Sequence, residues 1–248
     1  MRSIFFKEIN SFFSSIIGYL VLLVFLVACG LTLWILPDTS ILRYGYAALD
    51  RFFELAPWLL LLLVPAVTMR SFSDEFRAGT IEWLSTKPVT DLQLILGKYF
   101  ATLALVVIAL IPTVIYLYTV CNLALPDNTP DFGAITGSYL GLLFLAAAFT
   151  AVGTFCSSVT SNQIVGFLLS LSACFLLYTG FESLSKLPAF TAGLDYYLSM
   201  IGMAFHYTSI SRGLIDSRDV IYFLSVIVFF IALTRFSLNN RTRDVARV

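Results

Sequence analysis

The sequence predicts an all-α integral membrane protein with six transmembrane helices. Three observations predict it. Of 248 residues, 59 % are hydrophobic and only 12 % charged, against roughly 45–50 % and 25 % in soluble domains. Six apolar runs approach the roughly 20 residues that a helix rising about 1.5 Å per residue needs to cross a hydrocarbon core. No run alternates with the two-residue period of a membrane β-strand.

Each element follows in order. In "MRSIFFKEINSFFSSII", Phe5, Ile9, Phe12 and Ile16 recur at helical spacing on one face and Lys7, Ser11 and Ser14 on another, which predicts an N-terminal amphipathic interfacial helix. The spans are Ile16–Leu36, Phe52–Met69, Tyr99–Val120, Ile135–Val159, Ile164–Gly180 and Val220–Leu238. Pro57, Pro65 and Pro112 are expected to kink the second and third. Arg235, near the end of the sixth, can snorkel to the interface. The first run is longer than the 7–15-residue core of a leader peptide, so no cleaved leader is expected. Phe181–Asp219 is aromatic but too interrupted to span, which fits short helices dipping into the outer leaflet before the sixth span.

An even number of spans puts both ends of this sequence on one side. Arg2, Lys7, Arg70, Arg77, Lys87, Lys98, Arg235, Arg241, Arg243 and Arg247 share that side, against Arg43, Arg51, Lys186, Arg212 and Arg218 on the other. Basic residues stay inside, so both termini are expected in the cytoplasm.

Several chemistries find no support. There is no G-x-x-x-x-G-K-[ST] phosphate loop; Gly97-Lys98 lacks the upstream glycine and is followed by Tyr99, so the chain is not expected to hydrolyse ATP alone. The one histidine, His206, has no metalloprotease context and reads as an ordinary interfacial residue. Cys29, Cys121, Cys156 and Cys174 lack metal-ligand spacing and read as small hydrophobes. The span interiors carry no carboxylate or histidine of the kind that couples ions to transport. Gly137 with Gly141, and Gly166 with Ser170 and Cys174, have the spacing of helix packing.

The charged stretch between the second and third spans, from Arg70 to Gln93, is the most informative. Gly79 can break the descending helix, and Thr80 can cap a short helix Ile81–Thr86 with Glu82 in its first turn. Pro88 ends that helix at Lys87. Thr90-Asp91-Leu92-Gln93 is a capping box, with Val89 and Leu94 as its staple, and starts the third span. The short helix shows Ile81, Trp83 and Leu84 beside charges. Read alone, it is either a loop with Trp83 resting at the headgroups or a surface that meets another protein.

"MRSFSDEFRAGTIEWLSTKPVTDLQLILGKY" resembles the cytoplasmic signature of type-2 ABC exporter permeases, through Glu75, Gly79, Thr80, Glu82, Leu84, Pro88, Gly97 and Lys98. "KEINSFFSSIIGY", "APWLLLLLVPAVTMRSF" and "YTSISRGLIDSRDVIYFLS" extend the resemblance to the gliding-motility-associated, GldF-type permeases. Phe76-Arg77 and Trp83-Leu84-Ser85 depart from that pattern. The resemblance implies that residues 1–248 are a single ABC-transporter transmembrane (permease) domain in a bacterial inner membrane. It implies that the short helix is a coupling helix, with Glu75, Gly79, Thr80, Glu82, Trp83, Leu84 and Pro88 contacting or shaping the contact with a cytoplasmic GldA-like ABC ATPase. That partner would bind ATP and Mg; this chain would hold no cofactor. A second copy of the permease, a GldG-like auxiliary membrane subunit and the lipid bilayer are the other implied partners, with no nucleic acid. The second and fifth spans would line a central cavity. The alternative is a complex that transmits force to, or anchors, a periplasmic partner without exporting anything.

Overall fold

The computed structural model describes residues 1–36, 40–41, 48–80, 90–124, 130–187 and 195–245, with side chains as far as 240. Among these residues every regular element is helical. Six helices are long and apolar enough to cross a membrane: Ile16–Ile35, Asp50–Arg77, Asp91–Leu123, Phe132–Val159, Gln163–Ser185 and Ser217–Asn240. They coincide with the six predicted runs. The first stops one residue short of its predicted end, and the other five extend past their predicted bounds because caps and charged turns continue a helix beyond its apolar stretch.

In chain order, α1 is Arg2–Phe13 and α2 is Ile16–Gly30, prolonged by a π-helical turn, Leu31–Ile35. The elbow between them needs Gly18, where a Cβ would lie 2.4 Å from the Phe12 carbonyl oxygen. Helix α3, Asp50–Thr68, runs on through Pro57 and Pro65. A turn leads to the short α4, Ser73–Arg77. Helix α5, Asp91–Leu110, starts at the predicted capping box: Thr90 Oγ1 accepts from the Gln93 backbone N–H, and the Gln93 side chain accepts from the Thr90 N–H. Pro112 sits in a tight 3₁₀ turn, Ile111–Thr113, before α6, Val114–Leu123; here the expected break is seen. Helix α7 is Phe132–Val159, capped by Asp131. Helix α8, Gln163–Phe175, is capped by Asn162 and continues through a π-helical turn, Leu176–Gly180, into α9, Phe181–Ser185. Then come α10, Asp195–Ile201, α11, Met203–Ser211, and α12, Ser217–Val245.

Helix α7 is the axis of the bundle; α3, α8, α11 and α12 all pack on it. It can take so many neighbours because many of its buried positions are Gly, Ala, Ser or Thr. Gly153 lies against Thr68, and a Cβ there would come within 2.1 Å of the Thr68 hydroxyl. Gly137 meets the Gly213 backbone and Gly141 meets Tyr207 and Ile210, so the glycine spacing serves packing within the chain. The buried positions of α8 are Gly166, Ser170 and Cys174, the stripe read from the sequence. All four cysteines are unpaired, and Cys29, Cys156 and Cys174 are buried as small apolar groups.

Two elements make contacts within the chain that the sequence did not show. Phe5, Ile9 and Phe12 of α1 are half-buried. Its buried residue is Ile4, which rests on Gly97 of α5, because a glycine lets two helices approach closely. The segment before the sixth span is also more embedded than a surface dip: Met203, Tyr207 and Ile210 of α11 enter the main core, whereas Tyr196 and Tyr197 of α10 stay exposed.

Candidate functional site

The chain leaves the second span through two turns. At the end of α3, Thr68 Oγ1 donates to the Val64 carbonyl. Ser157 of α7 then clamps the bend. Its Oγ accepts from the backbone N–H groups of Phe72 (2.9 Å) and Ser73 (3.2 Å) and donates to the Met69 carbonyl (3.1 Å). One hydroxyl thereby satisfies three backbone groups that the bend would strand. The second turn closes α4. Gly79 has φ +66°, its N–H bonds the Phe76 carbonyl at 3.3 Å, and the Thr80 N–H bonds the Glu75 carbonyl at 3.0 Å. This is a complete Schellman motif, which needs a left-handed residue where only glycine is free of strain. Arg77, Ala78, Gly79 and Thr80 are exposed beyond it.

Inside this bend lies an ion cluster. The Lys98 side chain is 1 % exposed, and its Nζ is 2.9 Å from Glu8 Oε1 and 3.0 Å from Glu75 Oε1. It also donates to the Ser71 carbonyl. Two hydrogen bonds and a second carboxylate at ion-pair distance thus surround the ammonium, which is what makes a buried lysine tolerable. The Phe72 ring lies 5.0 Å from the same nitrogen and adds a cation–π contact. Lys7, on the exposed side of α1, donates to the same Glu75 oxygen at 3.0 Å. Burial pulls the Lys7 pKa down, but the hydrogen bond to Glu75 and the charges of Glu75 and Glu8 outweigh it, so the value is raised.

The bend touches every span. Arg70 donates to Ser15 Oγ before the first (3.1 Å), Lys98 belongs to the third, Ser157 to the fourth, and Asp74 accepts from Gln163 at the start of the fifth. Phe72 packs with Ile95 and with Leu238 of the sixth. A polar cleft of about 130 Å³ opens beside the cluster, between α1, α3 and α5.

The molecule is thus a bundle of six apolar helices with a charged bend between the second and third. The family described as ABC-2 family transporter protein matches residues 37–238. The chain belongs to this ABC-2 transporter family. It is therefore a multi-pass permease subunit of an ABC transporter, a membrane subunit rather than a catalytic one, in a family that works with an ATPase. No curated protein matches the chain.

In this ABC-2 permease the sequence-predicted site residues divide into two groups. Glu75, Gly79 and Thr80 stand together at the end of α4. Glu82, Trp83, Leu84 and Pro88, and the short helix expected over Ile81–Thr86, lie outside the described residues. Glu75 does not face water as the charge-rich stretch suggested; its side chain is 9 % exposed and turned toward Lys98, because the lysine supplies the counter-charge that lets a carboxylate leave solvent. Sequence reasoning missed Lys7 and Glu8 and took Lys98 only as half of a Gly-Lys pair. One signal was present: Ile4 and Glu8 are one helical turn apart and so share a face of α1, the face that meets Gly97 and Lys98.

Second and fifth spans do pack together: Trp58 of α3 meets Phe175 and Tyr178 edge-on or tilted, with ring centroids 6.3 and 5.9 Å apart. Beside them the first, second and fifth spans enclose an apolar groove of about 230 Å³ between Leu20, Val24, Leu59, Leu62 and Phe167.

Proposed function

We propose that this permease is driven by a separate cytoplasmic ATPase, of the gliding-motility-associated type, through the segment 75–88, and that the bend at 69–80 distributes the resulting displacement to the bundle. The observation that carries the reading is the convergence on the bend: Ser15, Lys98, Ser157, Gln163 and Leu238 each contact it. A push on the exposed end of α4 reaches the spans through buried, packed groups, which transmit displacement better than a solvated loop because packed interiors have low compressibility. In this reading Gly79 and Thr80 shape the coupling turn, Glu82, Trp83, Leu84 and Pro88 belong to the part that meets the ATPase, and Glu75 acts behind them as an anchor. ATP with Mg would bind the GldA-like partner, a second permease copy and a GldG-like subunit would complete the assembly in the bacterial inner membrane, and ATPase closure would tilt the permease halves.

The test is co-purification and ATP hydrolysis. Glu82→Lys would set a like charge against a basic groove, which can cost several kcal/mol at a desolvated contact. It should lower both ATPase recovery and permease-stimulated hydrolysis while the variant still inserts. Wild-type values for both, together with release of the segment from the membrane surface on Trp83→Ala, would favour the headgroup reading instead.

A further inference from the structure

Far from the ion cluster, the structure contains a second buried titratable pair. Tyr207 of α11 donates to the Phe53 carbonyl at 2.7 Å, near the start of α3, whereas the cluster lies at that helix's other end. Beside Tyr207, His206 is 5 % exposed and Asp219, in the first turn of α12, is 4 % exposed. His206 Nδ1 lies 2.6 Å from Asp219 Oδ1, and Nε2 lies 2.8 Å from the Met200 carbonyl oxygen. The Tyr222 ring stacks on the imidazole with centroids 3.9 Å apart, and Asp219 Oδ2 is buried with no hydrogen-bond partner among the described residues.

A carbonyl oxygen only accepts, so Nε2 must carry a proton. An ionised carboxylate also only accepts, so the contact at Nδ1 needs a proton too. A neutral imidazole carries one N–H, not two. Both contacts are therefore made only when the pair holds one proton more than neutral histidine and ionised aspartate together.

We propose that His206 and Asp219 are a proton-held latch that fasts α11, and with it the α10–α11 turn at Met200–Gly202, to the start of the last span. Loss of the bridging proton to solvent leaves a nitrogen lone pair facing a carboxylate, or, in the other tautomer, facing the Met200 carbonyl. One of the two contacts then turns repulsive and the turn is released. Other titratable or charged groups on elements that contact α11 are Arg218, Tyr222 and the distant Arg235 on α12, Asp195, Tyr196 and Tyr197 on α10, Tyr139 and Cys156 on α7, Tyr178 in the π-helical turn, and Asp50, Arg51 and Glu54 at the start of α3, where Tyr207 bonds Phe53. Asp219 is the one among the described residues that forms an ion pair with the ring. The latch is independent of the ATPase reading, since it lies at the opposite end of the bundle.

His206 is the chain's one histidine, so ¹⁵N-histidine labelling of the full-length protein in lipid bilayers reports on it directly. Ring-nitrogen spectra and amide exchange of residues 200–206, corrected for the intrinsic pH dependence of exchange, are recorded from acid to alkaline buffer. The expected result is that protection of the turn falls about tenfold, the equivalent of ~1.4 kcal/mol, over the same pH interval in which the ring loses its proton. Asp219→Asn should abolish that step. The amide N–H can donate to an unprotonated Nδ1 while Nε2–H keeps Met200, so the turn stays protected without the extra proton. The proposal is overturned if the ring titrates without any change in protection, or if Asp219→Asn shows the same pH-dependent loss as wild type. Should that variant fail to fold, the wild-type coincidence of the two curves decides.

Discussion

Lys98→Met is the sharpest perturbation of the ion cluster, because methionine keeps the apolar stem in place and removes only the charge. In the wild type the ammonium serves Glu8, Glu75 and the Ser71 carbonyl. Without it, Glu75 keeps one cationic partner, Lys7, whose side chain is 58 % exposed. Removing one member of a buried pair typically costs about 3–5 kcal/mol. Glu8 is 19 % exposed and can rehydrate, so roughly 2–4 kcal/mol is expected here. For a chain of this size that corresponds to a fall in Tm of about 5–15 °C, measured by thermal denaturation of the purified protein in detergent. Glu75→Gln in the Lys98→Met background should recover at least about 1 kcal/mol, the signature of direct coupling in a double-mutant cycle. The pH dependence has a definite sign. Lys7 is raised from its ordinary value of 10.5, so its contribution is complete below that value and is lost only as pH climbs through the raised one. The Tm should therefore be insensitive to Lys7 through neutral pH and decline in strongly alkaline buffer. If both single variants melted within about 0.5 kcal/mol of wild type, the cluster would be no more than a solvated surface pair and the anchoring argument would fail.

Three further outcomes are expected. Gly79→Val should cost roughly 1–2 kcal/mol from the left-handed backbone alone, since a Cβ there meets nothing within 4 Å; Gly79→Asn should cost less, and equal melts for the two would contradict the Schellman assignment. Gly153→Leu should be far worse than Gly153→Ala, because a Cβ at this position already collides with Thr68; loss of monodisperse protein on size exclusion is the readout, and a well-behaved leucine variant would disprove the α3–α7 contact. For orientation, cysteines at the exposed Thr80 and Ser217 suit an impermeant thiol reagent. In intact spheroplasts Ser217→Cys should react and Thr80→Cys should not, and the reverse pattern would invert the topology.

Features governed by residues close in the chain were legible in the sequence. Apolar length depends on a run of neighbours, so the six spans emerged near their observed positions. The capping box at Thr90–Gln93 closes within four residues, and the Gly79 turn within five, so both could be read without tertiary knowledge. The glycine and small-residue stripes were legible as packing faces because helical periodicity is local, but their partners were not. What the tertiary structure decided is which distant groups share a buried space. Lys98 and Glu8 are 90 residues apart, and nothing in either neighbourhood marks them as a pair; a carboxylate in a charged stretch reads as solvated until a counter-charge is brought to it. His206 likewise reads as interfacial until α12 delivers Asp219. Whether a charge is buried depends on the energy of its surroundings, which several spans supply together, whereas whether a segment is helical and long enough to cross a bilayer depends chiefly on the segment itself.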